Sequence, residues 1–139
     1  MTTSNPWTID HIGIAVSDMD QAIALYASHA ATSVTLREKL EPQGVEIAFL
    51  NTGSSKVELL AAVRPDTPIG RFLAKRGPGL HHICYRVSDI KAEMSRLAAL
   101  GATLIDKEPR SGAAGSKIAF ISPDSFSGVL TELCEYPES

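Results

Sequence analysis

Cysteine is scarce in this chain: Cys84 and Cys134 are the only two among 139 residues. Neither belongs to a CxxC pair, and two cysteines do not make the disulfide framework of a small secreted domain. Reduced, half-buried thiols are expected at both positions. An excess of one charge is also lacking. Thirteen Lys and Arg stand against sixteen Asp and Glu, a net charge of −3, which removes the electrostatic case for nucleic acid or an anionic membrane. No apolar run approaches the roughly 20 residues that a membrane span needs. The stretch Met1-Thr2-Thr3-Ser4-Asn5-Pro6 has no basic region followed by an apolar core, so no secretory signal is expected and the cytoplasm is the default location. A hydrophobic content of 44% with 21% charged residues suits one globular domain with a real core, expected over residues 7–137.

The chain also repeats itself. Asp10-His11-Ile12-Gly13-Ile14-Ala15-Val16-Ser17-Asp18 returns as His81-His82-Ile83-Cys84-Tyr85-Arg86-Val87-Ser88-Asp89, at a constant offset of 71 residues. At the far end of each half, Lys56-Val57-Glu58-Leu59-Leu60 matches Leu130-Thr131-Glu132-Leu133-Cys134, now at an offset of 74, so a small insertion separates the halves. The first module is expected over about 8–64 and the second over about 79–137.

Periodicity predicts the elements. His11 to Val16 reads as a strand, and Asp18 as the N-cap of a helix from Met19 to about Ala30 that buries Ala22, Ile23, Tyr26 and Ala30. Strands are expected at Leu36 to Glu41, Val45 to Asn51 and Lys56 to Val63, with a turn at Asn51-Thr52-Gly53-Ser54-Ser55. A short helix from Ile69 to Arg76 links the halves. Ile83 to Val87 restarts the cycle. Asp89 caps a second long helix with the buried stripe Ile90, Met94, Leu97 and Ala98, ended by Gly101. Strands follow at Thr103 to Ile105, Lys117 to Ile121 and Val129 to Glu135. The fold class is α+β: two βαβββ modules that pack together into a mixed-sheet cup.

Repetition has a chemical consequence. Each half offers one His on its first strand and one Glu on its last, so His11, Glu58, His82 and Glu132 can meet about a pseudo-axis. Two imidazoles and two carboxylates suit Mn, Co, Ni, Zn or Fe(II). Four protein ligands in an octahedron leave two positions for water or substrate, as Lewis-acid catalysis requires. A lone His at a strand start is usually structural, and a lone Glu on a strand usually faces solvent; recurrence in register raises this set above that background. His81 points to the face opposite His82 by strand alternation and is read as a supporting or structural residue. His29, at the outer end of a helix, carries no signal. Cys84 and Cys134 stand two residues after a ligand candidate and share its face, with packing as their expected role.

These residues resemble the vicinal oxygen chelate superfamily, and within it the methylmalonyl-CoA epimerases. The resemblance runs from about Ile9 to Pro137. Its matching segments are Ile9-Asp10-His11-Ile12-Gly13-Ile14-Ala15-Val16, Lys56-Val57-Glu58-Leu59-Leu60, Ile69-Gly70-Arg71-Phe72-Leu73-Ala74-Lys75, Gly79-Leu80-His81-His82-Ile83 and Gly128-Val129-Leu130-Thr131-Glu132-Leu133. The His/Glu pattern specifies only the superfamily; the run from Ile69 through Ile83 is more discriminating. The resemblance implies metal ligands at His11, His82 and Glu132, with Glu58 at a fourth position that is Gln or Glu in relatives. It implies a divalent ion, Co2+ favoured and Mn2+, Ni2+, Zn2+ or Mg2+ as other options, and a cytoplasmic homodimer acting on a CoA thioester.

The implied activity interconverts the C2 epimers of methylmalonyl-CoA by removing the proton beside the thioester, with Glu132 as first base and Glu46 as its partner. Two departures bear on this. Some epimerases place a catalytic glutamate three residues after a glycine on the second strand, whereas here Gly44 is followed by Val45, Glu46 and Ile47. That shift flips the face unless a local bulge restores it. A His-Pro-Lys stretch before the last strand is here Ser122-Pro123-Asp124. Lys75, Arg76, Lys107, Arg110 and Lys117 are available for CoA phosphates, and the loop from Arg110 to Lys117 is either part of such a groove or a plain solvated turn. The rival readings are a glyoxalase I-type lyase on a glutathione thiohemiacetal, a non-catalytic binding module of the same fold, and, less favoured, an extradiol dioxygenase.

Overall fold

A computed structural model describes residues 6–137. The stretch read for a secretory signal therefore lies, save Pro6, outside the described residues. The elements run β1 (Thr8–Ala15), α1 (Met19–His29), β2 (Val34–Leu40), β3 (Val45–Asn51), β4 (Lys56–Ala62), α2 (Pro68–Arg76), β5 (Gly79–Arg86), α3 (Ile90–Ala99), β6 (Arg110–Ser111), β7 (Lys117–Ile121) and β8 (Thr131–Glu135). Both βαβββ modules expected from the repeat are present. Among the described residues no helix is long and apolar enough to cross a membrane.

Two compact units emerge among the described residues, one of residues 11–82 and one combining residues 6–10 with residues 83–137. In the 11–82 unit, β1 pairs with β4 in parallel, β4 with β3 antiparallel, and β3 with β2 antiparallel. The register sorts side chains by face, because alternate residues of a strand point to opposite sides. Ile14, Val57, Leu59, Ala61, Ala48 and Leu50 pack on one side with Met19, Ala22, Ile23 and Tyr26 of α1. The Asp18 carboxylate accepts from the Gln21 amide at 3.0 Å, which satisfies an amide at the start of the helix.

In the other unit β5 runs parallel to β8, and β7 is antiparallel to β8 and to the short β6. Ile90, Met94 and Leu97 of α3 pack with Val87, Ala119, Ile121 and Leu133, as their helical spacing predicts. Trp7, ahead of β1, joins this cluster. Its indole donates to Glu93 Oε1 at 2.7 Å, and its ring lies 5.4 Å from Tyr85 and 6.1 Å from Phe126, centroid to centroid.

Several expectations need correction. Thr103 to Ile105 forms no strand: Leu104 makes one isolated bridge to Ile121, and the strand comes later, at Arg110–Ser111. The Asp106 carboxylate accepts from the Phe120 amide at 2.8 Å and occupies the ladder position that a longer strand would use. Ala30 and Ala98 are exposed rather than buried, since each lies where its helix turns its last residues toward water. The second module's first strand begins at Gly79, earlier than Ile83.

Leu133 is fully buried in the α3 cluster. Leu133→Ala is expected to cost about 2–5 kcal/mol by chemical denaturation, the usual scale for a truncated core leucine. Fluorescence of Trp7, the single tryptophan, follows the transition in that same cluster.

Candidate metal centre

The residue pairing that builds the two faces of the 11–82 unit also places its polar side chains. Gly13 stands opposite Glu58, and Glu58 opposite Phe49. His11, two residues before Gly13, therefore shares their face, and its ring meets Phe49 edge-on at 5.2 Å. His82 on β5 brings its imidazole to the same place. His11 Nε2 lies 3.2 Å from Glu58 Oε1, His82 Nε2 lies 3.4 Å from the same oxygen, and the two Nε2 atoms are 3.3 Å apart. All three side chains are buried, at 4–6% exposure.

This triangle fits one first-row divalent ion. Donors about 2.1 Å from an ion lie roughly 3.0 Å apart at octahedral angles and roughly 3.4 Å apart at tetrahedral ones. The donor set, two imidazole nitrogens and a carboxylate oxygen, is the borderline type that such ions select. Burial by itself would raise the Glu58 carboxyl and is the largest single influence on it. The hydrogen bonds and charges of His11 and His82 together outweigh it, so Glu58 sits below the ordinary carboxylate range.

Glu132 occupies the equivalent place in the other unit. It lies on β8 opposite Phe120 and beside Cys84 of β5, and it is 5% exposed. Cys84 and Cys134 share that face and pack with Ile118, Phe120 and Tyr136. They are wholly buried rather than half-buried. Burial first, then the Cys134 contact and the charge of Glu132, push the Cys84 thiol far up, which favours its neutral form. Nearby, Tyr136 donates its phenol to Asp10 Oδ2 at 2.8 Å, and the Arg86 guanidinium lies over the Tyr136 ring at 4.8 Å.

Glu46 stands elsewhere. The β3–β4 register is unbroken from Val45 to Asn51, and the one shift in the neighbouring ladder lies at Val34 and Leu36 of β2. No bulge restores Glu46. It pairs across with Ala61, on the α1 side of the sheet, and takes a 2.8 Å hydrogen bond from Arg37 Nε. Arg37 in turn reaches Asp20 of α1 at 2.8 Å. The expected role of Glu46 as second acid/base is corrected accordingly: its side chain faces away from Glu58, and its carboxylate anchors Arg37, which ties β2 and β3 to α1.

Of the cations offered for CoA, Lys75, Arg76, Lys107, Arg110 and Lys117 are all exposed. Arg110 is drawn to Asp106 at 3.1 Å and lies over the Phe120 ring. The loop between Arg110 and Lys117 is a tight turn, with the buried Ser116 hydroxyl donating to the Ala113 carbonyl at 2.7 Å and Ala114 left-handed at φ 56°. His29 is exposed and contacts Ser28.

Two contacts at the site are not evident in the sequence. The His82 imidazole lies in the space where a side chain on Gly13 would stand: an added Cβ would fall 2.1 Å from its Cε1. The repeat contained the signal, since Cys84 occupies the position equivalent to Gly13. His81, expected to point away, has its Nδ1 2.8 Å from His82 Nδ1. Gly13→Ala is expected to drive the His82 ring out of the triangle and weaken Co(II) binding by about tenfold or more, the scale on which groups that orient a metal ligand act. Titration followed by visible absorption measures it, with circular dichroism confirming the fold.

Comparison with known proteins places this geometry. The family model described as the Glyoxalase/Bleomycin resistance protein/Dioxygenase superfamily matches residues 10–120. The chain is 37% identical over 127 residues to an ethylmalonyl-CoA/methylmalonyl-CoA epimerase of Cereibacter sphaeroides, covering 90% of this chain and 95% of the relative. It superposes on the crystal structure of methylmalonyl-CoA epimerase from Mycobacterium tuberculosis with a TM-score of 0.92 at 37% identity, covering 99% of this chain and 94% of that one. A variant of the Streptomyces coelicolor methylmalonyl-CoA epimerase, in complex with 2-nitronate-propionyl-CoA, gives a TM-score of 0.90 at 38% identity over 93% of this chain and 94% of that one. Paired modules, a buried His/Glu cluster and these matches lead to one assignment: the chain belongs to the glyoxalase/bleomycin resistance protein/dioxygenase superfamily, among the relatives of the methylmalonyl-CoA epimerases.

Proposed function

We propose that this protein is a metal-dependent epimerase that interconverts the C2 epimers of methylmalonyl-CoA. The observation that carries the reading is the convergence of His11, His82 and Glu58 within 3.4 Å of one another, in a chain 37% identical to an epimerase across nearly the full length of both. In this reading Glu132 is the fourth ligand, supported by its burial and by its register with Glu58 in the repeat. The functional unit spans residues 7–137. A cytoplasmic homodimer belongs to the same reading, supported by the family resemblance and the unremarkable charge of the chain.

A divalent ion at these residues, Co2+ favoured and Mn2+, Ni2+, Zn2+ or Mg2+ as alternatives, supplies a Lewis acid that offsets negative charge on the thioester oxygen. The remaining work falls to the protein. The C2–H bond of the substrate lies between a thioester and a carboxylate, so its electron pair can delocalise once the proton leaves. The Glu132 carboxylate takes that proton. A second acid returns a proton to the opposite face of C2 and so inverts the centre. Glu46 is excluded from that task by its position beside Arg37. Burial of His11, Glu58, His82 and Glu132 limits their contact with water, which strengthens each electrostatic interaction with the developing charge.

Methylmalonyl-CoA in D2O with Co(II)-loaded protein is expected to exchange its C2 proton for deuterium, read by NMR, and a chelator is expected to abolish the exchange. A loaded protein that leaves C2 protonated would sink the assignment. Glu132→Gln is expected to slow exchange by roughly 100- to 10,000-fold, the range for loss of a positioned general base. Wild-type exchange in that variant would remove Glu132 from the role.

A further inference from the structure

His81 and His82 are consecutive, yet they do different work. The Nε2 of His82 faces Glu58 at 3.4 Å and His11 at 3.3 Å. Its other nitrogen, Nδ1, lies 2.8 Å from Nδ1 of His81, and the two rings stand nearly perpendicular at 87°. A hydrogen bond of that length between two imidazole nitrogens needs one proton, carried by one of them. The His81 ring is held from behind. Phe72 of α2 meets it edge-on, with centroids 4.9 Å apart and planes at 81°. α2 is itself fixed by buried Ile69 and by Thr67, whose hydroxyl accepts from the Gly70 amide at 3.0 Å.

We infer that His81 is a positioning residue for the metal ligand His82: its Nδ1 accepts the His82 Nδ1–H, which reserves the His82 Nε2 for a bound ion, and Phe72 braces the acceptor. The inference rests on the metal-binding reading above. An imidazole binds a cation only through an unprotonated nitrogen, so the proton of neutral His82 belongs on Nδ1. An acceptor there fixes both that tautomer and the angle of the ring. Gly13 clears the other side, since any side chain at that position would collide with the His82 ring. The ring is thus held by an acceptor at Nδ1 and an open floor on β1. Through Phe72, the seat of α2 sets the direction of a ligand that belongs to β5. His81 touches none of the three donor atoms in this account; it acts only through His82.

The test compares wild type, His81→Phe and His81→Asn by Co(II) titration and visible absorption, with thermal unfolding of the metal-free proteins as the folding control. Phenylalanine fills the space without an acceptor. Asparagine keeps an oxygen near the position of Nδ1. His81→Phe is expected to bind Co(II) roughly 10- to 100-fold more weakly, with an altered absorption envelope, while His81→Asn stays near wild type in both. Long-range 1H–15N correlation on Zn(II)-loaded wild type, which needs no variant, is expected to show a proton on His82 Nδ1 and none on His81 Nδ1. Wild-type affinity in His81→Phe, equal losses in both variants, or a proton on His81 Nδ1 would each overturn the inference. Wild type that binds no Co(II) would instead overturn the metal reading itself, and this inference with it.

Discussion

Two imidazole nitrogens and a carboxylate oxygen share one buried corner of this protein at 3.2–3.4 Å from one another. Hydrogen bonds and charge attraction from both imidazoles hold the Glu58 carboxylate there, and burial removes the water that would screen them. The surrounding structure is organised around imposing this arrangement. The parallel pairing of β1 with β4 sets Gly13 against Glu58. The antiparallel pairing of β4 with β3 brings Phe49 up to the ring of His11. The absent side chain at Gly13 lets the His82 ring come up against β1. The apolar cluster beneath, from Leu59 and Ala48 to the α1 face, is what makes such a concentration of polar atoms affordable.

Much of this was legible in the sequence because a repeat carries its own check. One His before an apolar strand says little; the same His, followed by the same Val-Ser-Asp and a capped helix 71 residues on, identifies an equivalent place in a duplicated module. β3 was read with its observed bounds because seven residues rich in Val, Ile, Ala, Phe and Leu lie between a glycine turn and an Asn-Thr-Gly turn. Asp18 and Asp89 were recognisable as caps for a local reason, a short carboxylate just before a run of helical periodicity.

What the sequence concealed depends on neighbours distant along the chain. The side of the sheet taken by Glu46 turns on the absence of a bulge, which only the partner strand reveals. Alternation correctly sends the Cβ atoms of His81 and His82 apart, but two imidazoles are long enough to reach round the strand and touch. The strand misplaced at Thr103 to Ile105 shows the same limit: a single carboxylate, Asp106, occupies the amide that the strand would have used. The fold relies on local pattern for its elements and on pairwise geometry for its chemistry.

The short segment ahead of His11 shows how the chain is threaded. Trp7 and Asp10 reach far along the chain: they close against Tyr85, Glu93, Phe126 and Tyr136, the last of these 126 residues beyond Asp10. During synthesis Asp10 must therefore wait for Tyr136, 126 residues later, before that contact exists. The duplicated ancestry of the molecule is thus not a recipe for cutting it in two. A fragment holding only the second repeat would expose the patch that Trp7 covers, and one holding only the first would carry a tryptophan with nowhere to dock.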